Sequence, residues 1–262
     1  MVTNELAGTA IVVSGSAVGI GRAICTTFSL LGAHIIGLDI DEPGNEGTAV
    51  LVADAGGSMR AITCDVGNAE AVHAAVGSLD QVDLVVNNAA VWNDTTLTGG
   101  DYATQTAALR RAMDACAFGT FNLTAACVPK LRASTSSYGA NVVTMITEHI
   151  RLHRLITGLP ATGYDAAKFA QWRFTESWAK ELAPLGIRVN GLAFGATDTP
   201  MLRAVSVRVA EQGMRADDMA DAVLNIVRQG RFGPTGMTYD IGFSGTPRIE
   251  SLQQIAAITT TR

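Results

Sequence analysis

The sequence predicts an α/β protein, with a parallel sheet of about seven strands at its centre and helices on both faces. Three observations lead there. Short, nearly unbroken apolar runs alternate with amphipathic stretches, the pattern of strands buried on both faces and joined by crossover helices. The first run leads through a glycine-rich turn, Ser14-Gly15-Ser16-Ala17-Val18-Gly19-Ile20-Gly21, into a helical pattern at Arg22-Ala23-Ile24. Finally, no repeat, low-complexity tract or interdomain linker interrupts the 262 residues, so 1–262 is expected to be a single doubly wound domain.

In chain order, strands are expected at 9–13, 34–38, 60–64, 84–86, 141–146, 188–192 and 237–241. Helical patterns fall at 21–31, 69–79, 102–131, 164–182 and 217–228. Right-handed crossovers between parallel strands bring the glycine turn, Asn88, Thr147 and the loop after Gly195 to the carboxyl edge of the sheet. Ligands bind along that edge in such sheets.

Two constellations carry chemistry. Tyr164 and Lys168 stand four residues apart, on one face of a helix. A phenol alone is a poor base, with a reference pKa near ~10, but a neighbouring ammonium favours the phenolate. The pair is therefore expected to exchange a proton with an alcohol or carbonyl, with the tyrosine pKa lowered. The glycine turn, between a strand and a helix, is built to bring backbone N–H groups against a pyrophosphate. Asp39 ends the second strand near the ~20-residue offset at which a carboxylate hydrogen-bonds the adenosine ribose hydroxyls. Its charge, with those of Asp41 and Glu42, would repel a 2′-phosphate, and no Lys or Arg lies between Ser14 and Gly21; NAD rather than NADP is expected.

Together these residues resemble the short-chain dehydrogenase/reductase family over nearly the whole chain, which implies a Rossmann-type domain. Ser14–Gly21 is similar to the family's Thr-Gly-x-x-x-Gly-x-Gly cofactor turn, with Ser in place of Thr. Cys64-Asp65-Val66 resembles the segment whose Asp meets the adenine amino group. Asn87-Asn88-Ala89-Ala90 resembles Asn-Asn-Ala-Gly, with Ala90 replacing the glycine, and Tyr164 and Lys168 match Tyr-x-x-x-Lys. The run from Glu181 to Asn190 is similar to the approach to the sixth strand, and Gly195 and Thr199 match the loop after it. The resemblance implies cofactor contacts from Gly15, Ser16, Val18, Gly19, Ile20, Gly21, Asp39, Asp65, Val66, Asn88, Ala89, Tyr164, Lys168, Gly195, Thr197 and Thr199. Tyr164 would be the acid/base, and Lys168 would lower its pKa and hold the ribose.

Two positions depart from the family pattern. A Ser thirteen residues before the Tyr would orient the substrate oxygen, but Arg151 stands there. The family's Ser pair aligns with Ile146-Thr147, giving Thr147 that role with about four extra residues before Tyr164; a Thr hydroxyl has the hydrogen-bonding capacity of a Ser hydroxyl. Cys116 occupies the place of an Asn that helps hold a relay water. It keeps the carbonyl and lacks the amide.

The rest of the composition narrows the function. A net charge of -5 argues against nucleic-acid binding. No run approaches the ~18 apolar residues of a membrane span, and Met1-Val2-Thr3-Asn4-Glu5 lacks the order of a signal peptide, so the cytoplasm is expected. Cys25, Cys64, Cys116 and Cys127 and the four His residues show no metal spacing, and none is expected. The apolar segment from Pro200 is expected to close over the site as a lid at about 200–215. Trp92 lines the pocket or caps the core. His149-Ile150-Arg151-Leu152-His153-Arg154 is a solvated loop or an anion subsite. Trp172 and Trp178 lie where the family packs its subunits and are read as core or interface; the resemblance implies a dimer or tetramer. The expected function is NAD-dependent interconversion of a fairly apolar secondary alcohol and a ketone. The alternatives are a hydroxyacyl-thioester dehydrogenase/reductase, which the basic loop suits, and a degenerate NAD(H)-binding sensor or scaffold. Cys116 and Ala90 favour the sensor, while the Tyr164–Lys168 pair opposes it.

Overall fold

The computed structural model describes residues 4–92, 97–98, 100–150 and 161–241. Seven strands form one sheet: β1 (Ala10–Ser14), β2 (His34–Asp39), β3 (Ser58–Thr63), β4 (Leu84–Asn87), β5 (Ala140–Met145), β6 (Ile187–Phe194) and, last in the chain, β9 (Thr238–Ile241). Their order is β3-β2-β1-β4-β5-β6-β9 and every pairing is parallel. The order reverses between β1 and β4, so a crevice opens at the carboxyl ends of these two neighbours. The expected strands lie within about two residues of those observed.

Alternate residues of β1 divide between two cores. Ile11 and Val13 face α1 (Gly19–Leu30) and α9 (Ala216–Arg228), while Ala10 and Val12 face α3 (Ala69–Gly77), α5 (Gly119–Arg132) and α6 (Thr162–Leu182). That period of two is what the pleat imposes. Phe28 of α1 is wholly buried in the first core, a burial worth about 2–3 kcal/mol relative to exposure.

One helix escapes the hydrophobic pattern. α2 (Glu42–Asp54) buries only Asn45, Thr48 and Val52 and contains Pro43, Gly44 and Gly47. Its local signals are an Asp41 cap, whose side chain accepts the Gly44 amide at 3.2 Å, and a proline in the first turn. The long pattern at 102–131 is one continuous helical run: α4 (Tyr102–Ala112), a π-helical turn (Met113–Phe118) and α5. After β6 come β7 (Thr197–Asp198), α7 (Pro200–Val205), α8 (Val207–Glu211) and β8 (Met214–Arg215), which pairs with β7. Among the described residues no helix is long and apolar enough to cross a membrane, and no group of three metal-ligating side chains is placed to hold an ion.

Candidate active site

The site begins where β1 and β4 end side by side. Gly15 has φ +69°, and a Cβ there would lie 2.9 Å from both Ala89 Cα and Asn88 Nδ2. At Gly21 a Cβ would come within 1.9 Å of the Gly15 carbonyl, so only glycine fits. Ser14 ties the two strands together: its Oγ accepts the Asn88 and Ala89 amides at 3.0 and 3.1 Å. Asn88 Nδ2 answers by donating to the Ser14 and Gly15 carbonyls at 3.0 Å. This sharp turn leaves Val18 exposed and leads directly into α1, whose N-terminus lies at the crevice. Ile20 is buried. Ser16 is buried too, and its hydroxyl donates to Asn45 Oδ1 at 2.7 Å, so only its backbone remains for a ligand.

Asp39 closes the turn from the β2 side, accepting the Ala17 amide at 2.8 Å and the Asp41 amide at 2.9 Å. Asp65, exposed after β3, accepts the Gly67 amide at 2.9 Å, and the Val66 carbonyl accepts Asn122 Nδ2 at 3.0 Å. On the far side, the buried Gly195 donates its amide to Ile241. Thr197 donates to the Gly195 carbonyl at 3.2 Å, and Thr199 caps α7 by accepting the Leu202 amide at 3.2 Å. A Cβ on Gly19 would stand 3.2 Å from Thr199 Cγ2, so this loop reaches back across the crevice to the glycine turn.

Tyr164 and Lys168 lie on the buried face of α6, beside the end of β5. Lys168 Nζ donates to the Met145 carbonyl at 2.7 Å and lies 5.5 Å from the centre of the Tyr164 ring. Thr147 follows Met145 by two residues, and its hydroxyl is near enough to that of Tyr164 to favour the phenolate. Cys116 sits on the π-helical turn, wholly buried and within electrostatic reach of both Tyr164 and Lys168. Thr147, Tyr164 and Lys168 thus lie together, all buried, beside the end of β5.

Burial pushes the Tyr164 phenol up, outweighing the nearby Thr147 hydroxyl, which favours the phenolate. Burial also pushes Lys168 down from its ordinary value. Burial acts on three thiols in the same way, raising Cys25 and Cys127 to about 12 and Cys64 above its ordinary value.

Gln171, Asp165 and Arg22 escaped the sequence reading. Gln171, one turn beyond Lys168 and wholly buried, donates to the Cys116 carbonyl at 3.1 Å and to Thr120 Oγ1 at 2.7 Å. Its three-residue spacing from Lys168 was the available signal. Asp165, next to Tyr164, accepts or shares a proton with His149 Nδ1 at 2.7 Å. Arg22 reaches under the turn to Thr48 at 3.0 Å and to the Ala17 carbonyl. Trp92 lines the site, its ring 4.9 Å from that of Tyr164. Trp172 packs with Ile146 and Ile150, and Trp178 stacks on Phe174 at 4.8 Å. Arg151, His153 and Arg154 of the basic loop lie outside the described residues.

Comparison with known proteins agrees with this geometry. The family profile described as short chain dehydrogenase matches residues 9–209. The chain is 27% identical over 216 residues to a 7alpha-hydroxysteroid dehydrogenase of Escherichia coli (strain K12), covering 80% of this chain and 79% of that one. It is 29% identical over 237 residues to a 3-oxoacyl-[acyl-carrier-protein] reductase of Thermotoga maritima, covering 87% and 86%. Among solved structures, a 3-oxoacyl-[acyl-carrier protein] reductase with bound NAD from Brucella melitensis superposes with a TM-score of 0.76 at 26% identity, over 92% of each chain.

Proposed function

The chain belongs to the short-chain dehydrogenase family, and on that premise we propose that it is an NAD-dependent oxidoreductase interconverting a secondary alcohol and a ketone. The observation that carries the reading is the grouping of Tyr164 with Lys168, whose Nζ lies 5.5 Å from the phenol ring and is anchored on the Met145 carbonyl, two residues before the buried Thr147. Thr147 donates to the substrate oxygen and orients it toward the phenol. Tyr164 takes the hydroxyl proton in oxidation and returns it to the carbonyl oxygen in reduction. Lys168, anchored on the Met145 carbonyl, holds the ribose and supplies positive charge beside the phenol. The Cys116 carbonyl, fixed by Gln171, takes the place of the relay asparagine.

The residues fit the cofactor. The cradle at Gly15 and Gly21 has no room for a Cβ, as a backbone that must approach a pyrophosphate requires. Gly15, Ser16, Val18, Gly19, Ile20 and Gly21 would hold the phosphates through backbone and the α1 N-terminus, and Asp39 the adenosine ribose. Asp65 and Val66 would hold the adenine, Asn88 and Ala89 the ribose side of the crevice, and Gly195, Thr197 and Thr199 the nicotinamide end. Bound NAD supplies the hydride acceptor. Residues 1–262 act as one such unit, with 200–215 closing over the substrate; Met201, Val205, Val207 and Val209 are partly exposed there. We place the enzyme in the cytoplasm as a dimer or tetramer, for which the half-exposed Phe121 beside Phe174 and Trp178 offers an apolar surface.

A hydroxyacyl thioester is the second reading of the substrate, favoured by the likeness to 3-oxoacyl-[acyl-carrier-protein] reductases. Single-turnover absorbance with NAD, across secondary alcohols and hydroxyacyl thioesters, tests both. Hydride transfer that disappears in Tyr164→Phe supports the proposal. No transfer from any substrate moves the chain to a cofactor-binding sensor.

A further inference from the structure

Three aromatic rings from three separate segments meet at the proposed acid/base. Trp92, in the loop after β4, lies 4.9 Å from the Tyr164 ring at an angle of 49°. His149, in the single 3-10 turn Glu148–Ile150, stands edge-on to both, 6.1 Å from Tyr164 at 82° and 6.2 Å from Trp92 at 78°. Its ring is held at Nδ1 by Asp165 at 2.7 Å, and its amide points at Thr147 Oγ1 at 3.4 Å. The residue that fixes His149 therefore adjoins Tyr164 in sequence, and His149 adjoins Thr147 in space. Trp92 and His149 are each only partly buried, so neither is sealed within the core.

Such a wall discriminates by shape. Rings fixed by their neighbours offer offset-stacked and edge contacts to another flat ring, an attraction beyond the area buried. A flexible chain against the same wall must give up rotor freedom for each bond it aligns. Resting on the alcohol/ketone reading above, we propose that Trp92 and His149, the latter positioned by Asp165, form a substrate subsite that takes a flat carbocycle, aromatic or fused, bearing the reacting oxygen. A linear acyl chain is the poorer ligand.

The test compares 1-tetralone with 2-decanone, the linear ketone of equal carbon number, by titration calorimetry with and without NADH. Tetralone is expected to bind about tenfold tighter or better. Trp92→Ala and His149→Ala should bring the ratio close to one, while Trp92→Phe and His149→Phe, which keep a ring, should preserve it. Asp165→Ala should narrow it by freeing the His149 ring. Unchanged NADH affinity and circular dichroism verify the fold of each variant. Equal binding of the two ketones, no binding of tetralone, or a ratio untouched by Trp92→Ala overturns the subsite. Turnover separates this inference from the one beneath it: hydride transfer with equal ketone binding refutes only the subsite, whereas selective tetralone binding with no oxidation of 1-tetralol refutes only the reaction.

Discussion

The Asp39 carboxylate accepts the Ala17 amide at 2.8 Å, which ties the end of β2 directly to the glycine turn. One side chain thus supports the turn and sets the charge at its edge. Those two duties respond differently to substitution.

NAD is expected to bind more tightly than NADP by at least about tenfold, or 1.4 kcal/mol, because the fixed negative charge opposes a 2′-phosphate. Asp39→Asn removes the charge and retains an oxygen for Ala17, so it should shrink the ratio with modest loss of NAD affinity. Asp39→Ala loses both and should weaken both cofactors. Calorimetric titration of the wild type giving equal affinities would refute the assignment.

Thr147→Val removes the hydroxyl near Tyr164 and keeps the branched shape. Turnover should fall roughly 10²–10⁴-fold while NAD affinity stays nearly constant. Thr147→Ser should retain most activity. A similar loss in both variants would show that shape, not the hydroxyl, matters at this position.

The strands, the glycine turn and Tyr164–Lys168 were legible because each rests on short-range pattern: unbroken apolar runs, backbone that only glycine can trace, a single helical turn. α2 was not legible, since its buried face is polar, with Asn45 and Thr48 serving Ser16 and the turn rather than an apolar stripe. The ring cluster was half legible. Trp92 offered itself as a pocket residue, but its meeting with His149 depends on β4 and β5 lying side by side, and no local pattern encodes that pairing. At Tyr164, spacing reports a neighbouring charge and not the burial that opposes it.

Gln171 gives a separate test of the departure at Cys116. Its amide supports the Cys116 carbonyl and Thr120 where α6 packs on the π-helical turn and the start of α5. Gln171→Leu leaves both buried groups without that donor and should cost about 1–3 kcal/mol, read by denaturant unfolding. Cys116→Ala keeps the carbonyl and should leave turnover close to wild type. A large loss of turnover in Cys116→Ala would give the thiol itself a part in the reaction.

The pH profile follows from the direction in which burial moves Tyr164. Oxidation draws on the phenolate, and a phenol held above its ordinary value near ~10 supplies little of it at neutral pH. Alcohol oxidation should therefore climb into the alkaline range along a single ionisation. Ketone reduction draws on the phenol and should stay level through neutrality, falling only where oxidation gains. Thr147→Val removes a nearby hydroxyl that favours the phenolate, so its residual oxidation limb should move to higher pH. Stability carries a related sign: above about 10 the unfolded chain releases a proton that the fold retains, so raising the pH further destabilises the protein. Tyr164→Phe should abolish both reactions and this part of the alkaline destabilisation together, since one proton underlies them. Single-turnover rates across pH, beside unfolding curves at the same pH values, check the pair. An oxidation rate independent of pH through the alkaline range would remove Tyr164 as the proton carrier.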